Sequence, residues 1–127
     1  MYHVEETIGV RYMEAGTIIR KSKEYIEKHI DEVLTVAKIA GTVGYSEYHF
    51  SRIFRKQTGQ SPHQYLTALR IRKATELIME TRLSIEDIGA RCGYSGASHF
   101  IRAFKKEMDF TPASYRKYFD SSGFRKM

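Results

Sequence analysis

One cysteine, two prolines and no tryptophan stand among the 127 residues. A lone cysteine cannot close an intramolecular disulfide, so nothing covalent staples the fold, and a reducing, cytoplasmic setting is expected. Both prolines, Pro62 and Pro112, directly follow a serine or threonine, a pairing that opens helices rather than breaking them. No apolar run is long enough to span a bilayer. The amino end, MYHVEETIGV, lacks the basic-then-apolar order of a secretory signal. There is also no phosphate-cradling glycine loop, nucleophile elbow or paired-carboxylate arrangement. The five histidines, at positions 3, 29, 49, 63 and 99, form no i,i+4 pair and have no second cysteine to join them. No metal, no cofactor and no enzymatic activity are therefore expected.

What is present is enough for a core, since 42% of the residues are hydrophobic, and the length suits one compact domain or two small lobes. Charge is unevenly spread. Residues 1–33 hold five Lys/Arg against seven Asp/Glu, whereas residues 34–127 hold sixteen against eight, an excess of +8. Clustered positive charge suits a polyanion, because each neutralised phosphate releases counterions.

That basic portion is written twice. Ile39 pairs with Ile88, Gly44-Tyr45-Ser46 with Gly93-Tyr94-Ser95, and His49-Phe50 with His99-Phe100. Arg52 matches Arg102, Phe54 matches Phe104, Lys56 matches Lys106, and Pro62 and Tyr65 match Pro112 and Tyr115. The offset is 49 residues up to the serine and 50 after it, so the second copy carries one extra residue after its turn. A repeat of this kind governs the fold.

No stretch alternates at period two, and the expected fold is all-α with about seven helices. Residues 1–16 are expected as an arm. Thr17 is expected to cap a helix over 18–30 that turns Ile19, Ile26, Ile30 and Val33 to one side. Short helices are expected over 36–43 and 85–92 behind Thr35 and Ser84, each followed by a turn glycine, Gly44 or Gly93. Second helices then cover 47–58 (capped by Ser46 and ending at Gly59) and 97–108. A connector helix fills 62–80, and a last helix runs from Pro112 through about Phe119. This gives a first subdomain over 17–61, a connector over 62–80, a second subdomain over 81–119 and a tail over 120–127.

Each copy has the ingredients of a helix-turn-helix. A small residue lets two helices pack closely (Ala40, Gly89), a glycine makes the turn, and an apolar residue (Phe50, Phe100) closes the inner face. On 47–58, Phe50, Ile53 and Phe54 should be core, leaving Tyr48, Ser51, Arg52 and Arg55 outward. On 97–108, Phe100 and Phe104 should turn in, leaving Ala97, Ser98, Ile101, Arg102 and Lys105 out. Arginine is the commonest specific reader of guanine, and an exposed Ile101 could meet a thymine methyl. The plain alternative is a solvated helix face, but the same arginine recurring behind the same turn argues for an interface. Ser46, Lys56, Lys105 and Lys106 are candidate phosphate contacts. Arg70, Arg72 and Lys73 on the connector read as solvated, with phosphate contact as the alternative. Cys92, in the place of Val43, reads as a buried small hydrophobe.

These residues resemble the AraC/XylS family of bacterial transcription regulators over about residues 18–119. The most specific part is Ser84-Ile85, Ile88, Gly93-Tyr94, Ser98, Phe100, Arg102, Phe104-Lys105-Lys106, Thr111-Pro112 and Tyr115-Arg116, with Arg70-Ile71, Ala74 and Leu77-Ile78 on the connector. The resemblance implies a monomeric unit that binds double-stranded DNA near a promoter through two helix-turn-helix motifs. It also implies activation rather than repression, and contact with RNA polymerase. Base-reading positions carried over are Tyr48, Ser51, Arg52 and Arg55, then Ala97, Ser98, His99, Ile101 and Arg102. Asp109 departs from the glycine usual at its position, and Ala97 offers no hydrogen bond. The chain resembles the short stand-alone members. The alternatives are the DNA-binding part of a longer effector-responsive regulator, a non-specific nucleic-acid binder, and a module that docks proteins. Alkyl-transfer repair proteins that share an AraC-like segment carry zinc-binding cysteines, which are missing here.

Overall fold

The computed structural model describes the backbone of residues 4–122 and the side chains of 15–122. Residues 1–3 and 123–127, the extremities of the expected arm and tail, lie outside the described residues. Seven helices and no strand are found among the described residues: α1 (Val4–Lys28), α2 (Val36–Thr42), α3 (Glu47–Thr58), α4 (Pro62–Glu80), α5 (Ile85–Arg91), α6 (Ala97–Met108) and α7 (Pro112–Ser122). None is long and apolar enough to cross a membrane.

Local chemistry sets most of these boundaries. Hydroxyl caps take up amides that the first turn leaves without partners. Thr35 Oγ1 accepts from Lys38 N at 3.1 Å, Ser46 Oγ from His49 N at 3.2 Å and Ser84 Oγ from Asp87 N at 3.1 Å. At α4, Ser61 Oγ accepts from Gln64 N at 3.1 Å while Ser61 N donates to Gln64 Oε1 at 2.9 Å, a reciprocal capping box. Thr111 Oγ1 caps α7 by accepting from Ser114 N at 3.1 Å. α3 and α6 both end on a left-handed residue, Gly59 at φ 80° and Asp109 at φ 66°.

The amino-terminal helix departs from expectation. α1 begins at Val4, so Thr17 lies inside it rather than capping it, and the helix takes in most of the residues expected as an arm. Glycine within a helix costs about 1 kcal/mol relative to alanine, which penalises Gly9 and Gly16 without ending the helix. The helix stops at Lys28, so Val33 falls beyond it and is 70% exposed instead of buried. Ile18 is buried beside Ile19 and Ile26, and Ser22 is buried too, its hydroxyl donating to the Ile19 carbonyl at 2.9 Å.

The chain divides into two compact units. One comprises the residues up to His29 together with Leu34–Tyr65; the other comprises Ile30–Val33 together with Leu66 onward. In the first, α1, α2 and α3 contact one another, and Ile18, Ile19, Ile26, Leu34, Ile39, Ala40, Phe50 and Phe54 are buried. In the second, Ile71, Ala74 and Ile78 of α4 join Ile88, Cys92, Tyr94, Phe100 and Phe104 in one core. Phe50, Phe54, Phe100 and Phe104 are 0% exposed, and each contributes about 1.5–3 kcal/mol by leaving water. Their rings interlock edge to face. Phe54 meets Tyr65 at 5.5 Å in the first unit, and Phe104 meets Tyr115 at 5.6 Å in the second.

Candidate nucleic-acid interface

The turn ahead of each second helix is built the same way. In the first unit Gly44 N donates to Gly41 O and Tyr45 N to Ala40 O, both at 3.1 Å; in the second, Gly93 N donates to Ala90 O and Tyr94 N to Gly89 O, both at 3.0 Å. This is the Schellman arrangement, which needs a left-handed residue, and glycine supplies it at φ 81° and φ 91°. The small residue beneath is buried in both copies (Ala40 and Gly89), letting Phe50 and Phe100 pack onto the preceding helix.

α3 presents a polar outer face. Tyr48 is 66% exposed, Arg52 and Arg55 are exposed, and Ser51 is half-buried. Arg52 Nη1 donates to the Tyr48 hydroxyl at 3.2 Å, and the guanidinium lies 5.7 Å from the centre of that ring. The pair holds one fork of the guanidinium and leaves the rest outward. Ser46 is committed as a cap, and its hydroxyl also lies 3.3 Å from His49 Nδ1. An open groove of about 1100 Å³ borders this face on the side toward α1, lined by Ala15 of α1 and by His49, Arg52, Ile53, Arg55 and Lys56 of α3, among others. Ile53, expected in the core, is half-buried and borders the groove instead. Among the described residues no carboxylate pairs with Arg52, Arg55 or Lys56.

α6 is the counterpart. Ser98, His99, Arg102, Lys105 and Lys106 are exposed, whereas Ala97 and Ile101 are half-buried, so Ile101 offers less apolar surface than expected. The extra residue of this copy is Gly96, which occupies the cap position and provides no side-chain hydrogen bond. Ser95 is thereby displaced from the capping role that Ser46 fills. The aromatic arrangement also differs: Tyr94 is buried, 5.2 Å from the His99 ring and 5.4 Å from Phe100.

Arg70, expected to be solvated, is tied to a carbonyl instead, and so is Arg116. Arg70 Nη2 donates to Glu32 O at 2.8 Å, and Arg116 Nη1 to Leu83 O at 2.6 Å. Burial lowers the Arg70 pKa, with Tyr94 and Cys92 acting the other way. Burial raises Tyr94 and Cys92 in turn, the thiol to about 11, so Cys92 is the inert small hydrophobe its position suggests. No sequence pattern announces the Arg70 contact, because its partner is a backbone oxygen far away in sequence. The one available hint is that its repeat counterpart is Asp120, not a cation.

A duplicated helix-turn-helix, each copy backed by an aromatic core and faced with exposed arginine, defines a DNA-binding module. Residues 34–118 match the family described as "Helix-turn-helix domain". The chain is 34% identical over 112 residues to the transcriptional regulator Rob of Salmonella typhimurium, covering 88% of this chain and 39% of that protein. It is 38% identical over 99 residues to the HTH-type transcriptional activator Btr of Bacillus subtilis, covering 78% of this chain and 19% of that protein. The chain thus spans well under half the length of these curated relatives. Among solved structures it resembles the C-terminal domain of AraT, a response regulator from Geobacillus stearothermophilus, at TM-score 0.77 and 36% identity, covering 80% of this chain and 84% of that one. It also resembles the DNA-binding domain of the global transcriptional factor AdpA, solved with a target DNA, at TM-score 0.79 and 25% identity, covering 82% and 94%. The chain belongs to the AraC/XylS family of helix-turn-helix DNA-binding transcription regulators. Its relatives are regulators rather than enzymes.

Proposed function

We propose that the chain is a sequence-specific regulator, acting as an activator, that sets α3 and α6 into adjacent major grooves of one asymmetric promoter site. Tyr48, Ser51, Arg52 and Arg55 read the first block, and Ala97, Ser98, His99, Ile101 and Arg102 read the second. Ser46, Lys56, Lys105 and Lys106 meet phosphates. The observation that carries this reading is the equivalence of Arg52 and Arg102, each exposed at the sixth residue of a helix that follows a Schellman turn. Major grooves on one face of a duplex recur at roughly 34 Å, and the 19 residues of α4 make a rod of about 28 Å. Bending the DNA takes up the difference at a cost of about 1–6 kcal/mol. Two unlike reading faces on one chain suit an asymmetric site bound by a monomer. Activation adds a contact with RNA polymerase, and the whole takes place on nucleoid DNA in the cytoplasm.

A second reading makes this the DNA-binding part of a longer, effector-responsive regulator. The length of the relatives favours it, since the chain spans 39% of Rob and 19% of Btr.

Titrating the full chain against a selected duplex and a scrambled one across a salt series tests the reading. A preference of about 10³-fold or more at physiological salt is expected. Equal affinities with one common salt slope mark a non-specific binder instead.

A further inference from the structure

Arg70 lies in the part of α4 that belongs to the second unit, and it closes on the turn ahead of α6. Its Nη2 donates to Glu32 O at 2.8 Å, and its guanidinium lies over the Tyr94 ring at 5.5 Å. A Cβ built at Gly93 would stand 2.7 Å from Arg70 Nη2 and 2.5 Å from the Ile30 carbonyl oxygen. The arginine and the Ile30 carbonyl therefore close together on the Gly93–Tyr94 turn. The charge is held partly out of water, and Nε is buried with no hydrogen-bond partner. A hydrophobe would fill that space without leaving a buried donor unpaired, so packing alone does not account for an arginine here.

Among the described residues the first copy has no such grip. A Cβ at Gly44 would meet nothing within 4 Å, and Tyr45 is only half-buried. Two turns with matching backbone hydrogen bonds thus differ in what holds them: one is open and the other is clamped.

We infer that Arg70 is a positioning residue for DNA recognition. It fixes how α6 leaves its turn, and so the register in which Ser98, Ile101 and Arg102 meet base edges, while α3 keeps freedom to adjust. The inference rests on the base-reading role proposed above for α6.

The test compares binding of the full chain to a selected duplex and to duplexes scrambled in either block, well below the melting temperature. Wild type, Arg70→Ala, Arg70→Met and Arg70→Lys are measured, with helix content followed by circular dichroism. Arg70→Ala is expected to lose about tenfold in discrimination at the second block while keeping the first. Arg70→Lys should recover part of this loss, because an ammonium can reach the Glu32 carbonyl but cannot lie flat over Tyr94. If Arg70→Ala does not fold, Arg70→Met, which keeps much of the stem, carries the same expectation. A folded Ala or Met variant that discriminates the second block as well as wild type, with only a lower melting temperature, overturns the inference. Failure of the base-reading role itself looks different, since wild type would then discriminate neither block.

Discussion

A methyl group added at Gly89 would lie 2.8 Å from Cδ2 and 2.9 Å from Cγ of Phe100, whereas the first unit carries alanine, Ala40, fully buried at the corresponding position. The second helix-turn-helix is therefore the tighter of the two crossings. Gly89→Ala should add helix propensity worth about 1 kcal/mol yet overpack the crossing by about 1–3 kcal/mol. A net loss is expected because the ring is hit near its root, where it cannot swing aside. Urea unfolding reads the outcome as a lower midpoint at unchanged slope; Ala40→Gly should cost about 1 kcal/mol through propensity and roughly 0.8 kcal/mol more for the buried methyl it removes.

The turn glycines should separate in the same way. Gly44→Ala meets open space and bears only the left-handed strain, about 1–2 kcal/mol. Gly93→Ala bears the same strain and also strikes the Ile30 carbonyl oxygen at 2.5 Å, a backbone atom that cannot rotate away. Thermal melts should show Gly93→Ala clearly the more damaging. Equal losses would mean that the second turn is not gripped.

Asp109 sits at φ 66° where the first copy has Gly59 at φ 80°. Aspartate tolerates this conformation better than most residues but not freely. Asp109→Gly should raise stability by about 0.5 kcal/mol, the relief of strain outweighing the greater freedom of the unfolded chain. The melting temperature checks it, with DNA binding unchanged.

Cys92 predicts a pH dependence. Burial raises its pKa from 9.0 to about 11, so the folded chain holds a proton that the unfolded chain releases first. The associated stability is fully present below pH 9 and is lost as pH rises toward 11. Below that window the native thiol should resist a disulfide reagent and react only when urea exposes it. Rapid labelling of the folded chain at pH 8 would contradict this burial.

Much of this architecture was legible because its signals are local. Ser46, Ser61 and Ser84 cap where side-chain chemistry says they should, and the Gly44 and Gly93 turns announce themselves. The same locality hid the rest. Gly9 and Gly16 suggested an arm although α1 runs through them, because propensity weakens a helix without fixing where it starts. Val33 follows the buried spacing of a helix that has already ended at Lys28. The inserted Gly96 was visible as a shift in offset, but not that it would take over the cap position. Arg70 looked like a solvated cation on an exposed rod; its partners, Glu32 and Tyr94, come together only in the folded second unit.

Selecting bound sequences from a random DNA pool tests the central claim most directly, with wild type, Arg52→Ala and Arg102→Ala run side by side. Wild type should return an asymmetric site with two informative blocks about one helical turn apart. Each variant should flatten one block and leave the other, at a cost of about 1–3 kcal/mol in affinity for the wild-type site. No enriched sequence, or enrichment that neither variant changes, would contradict the account.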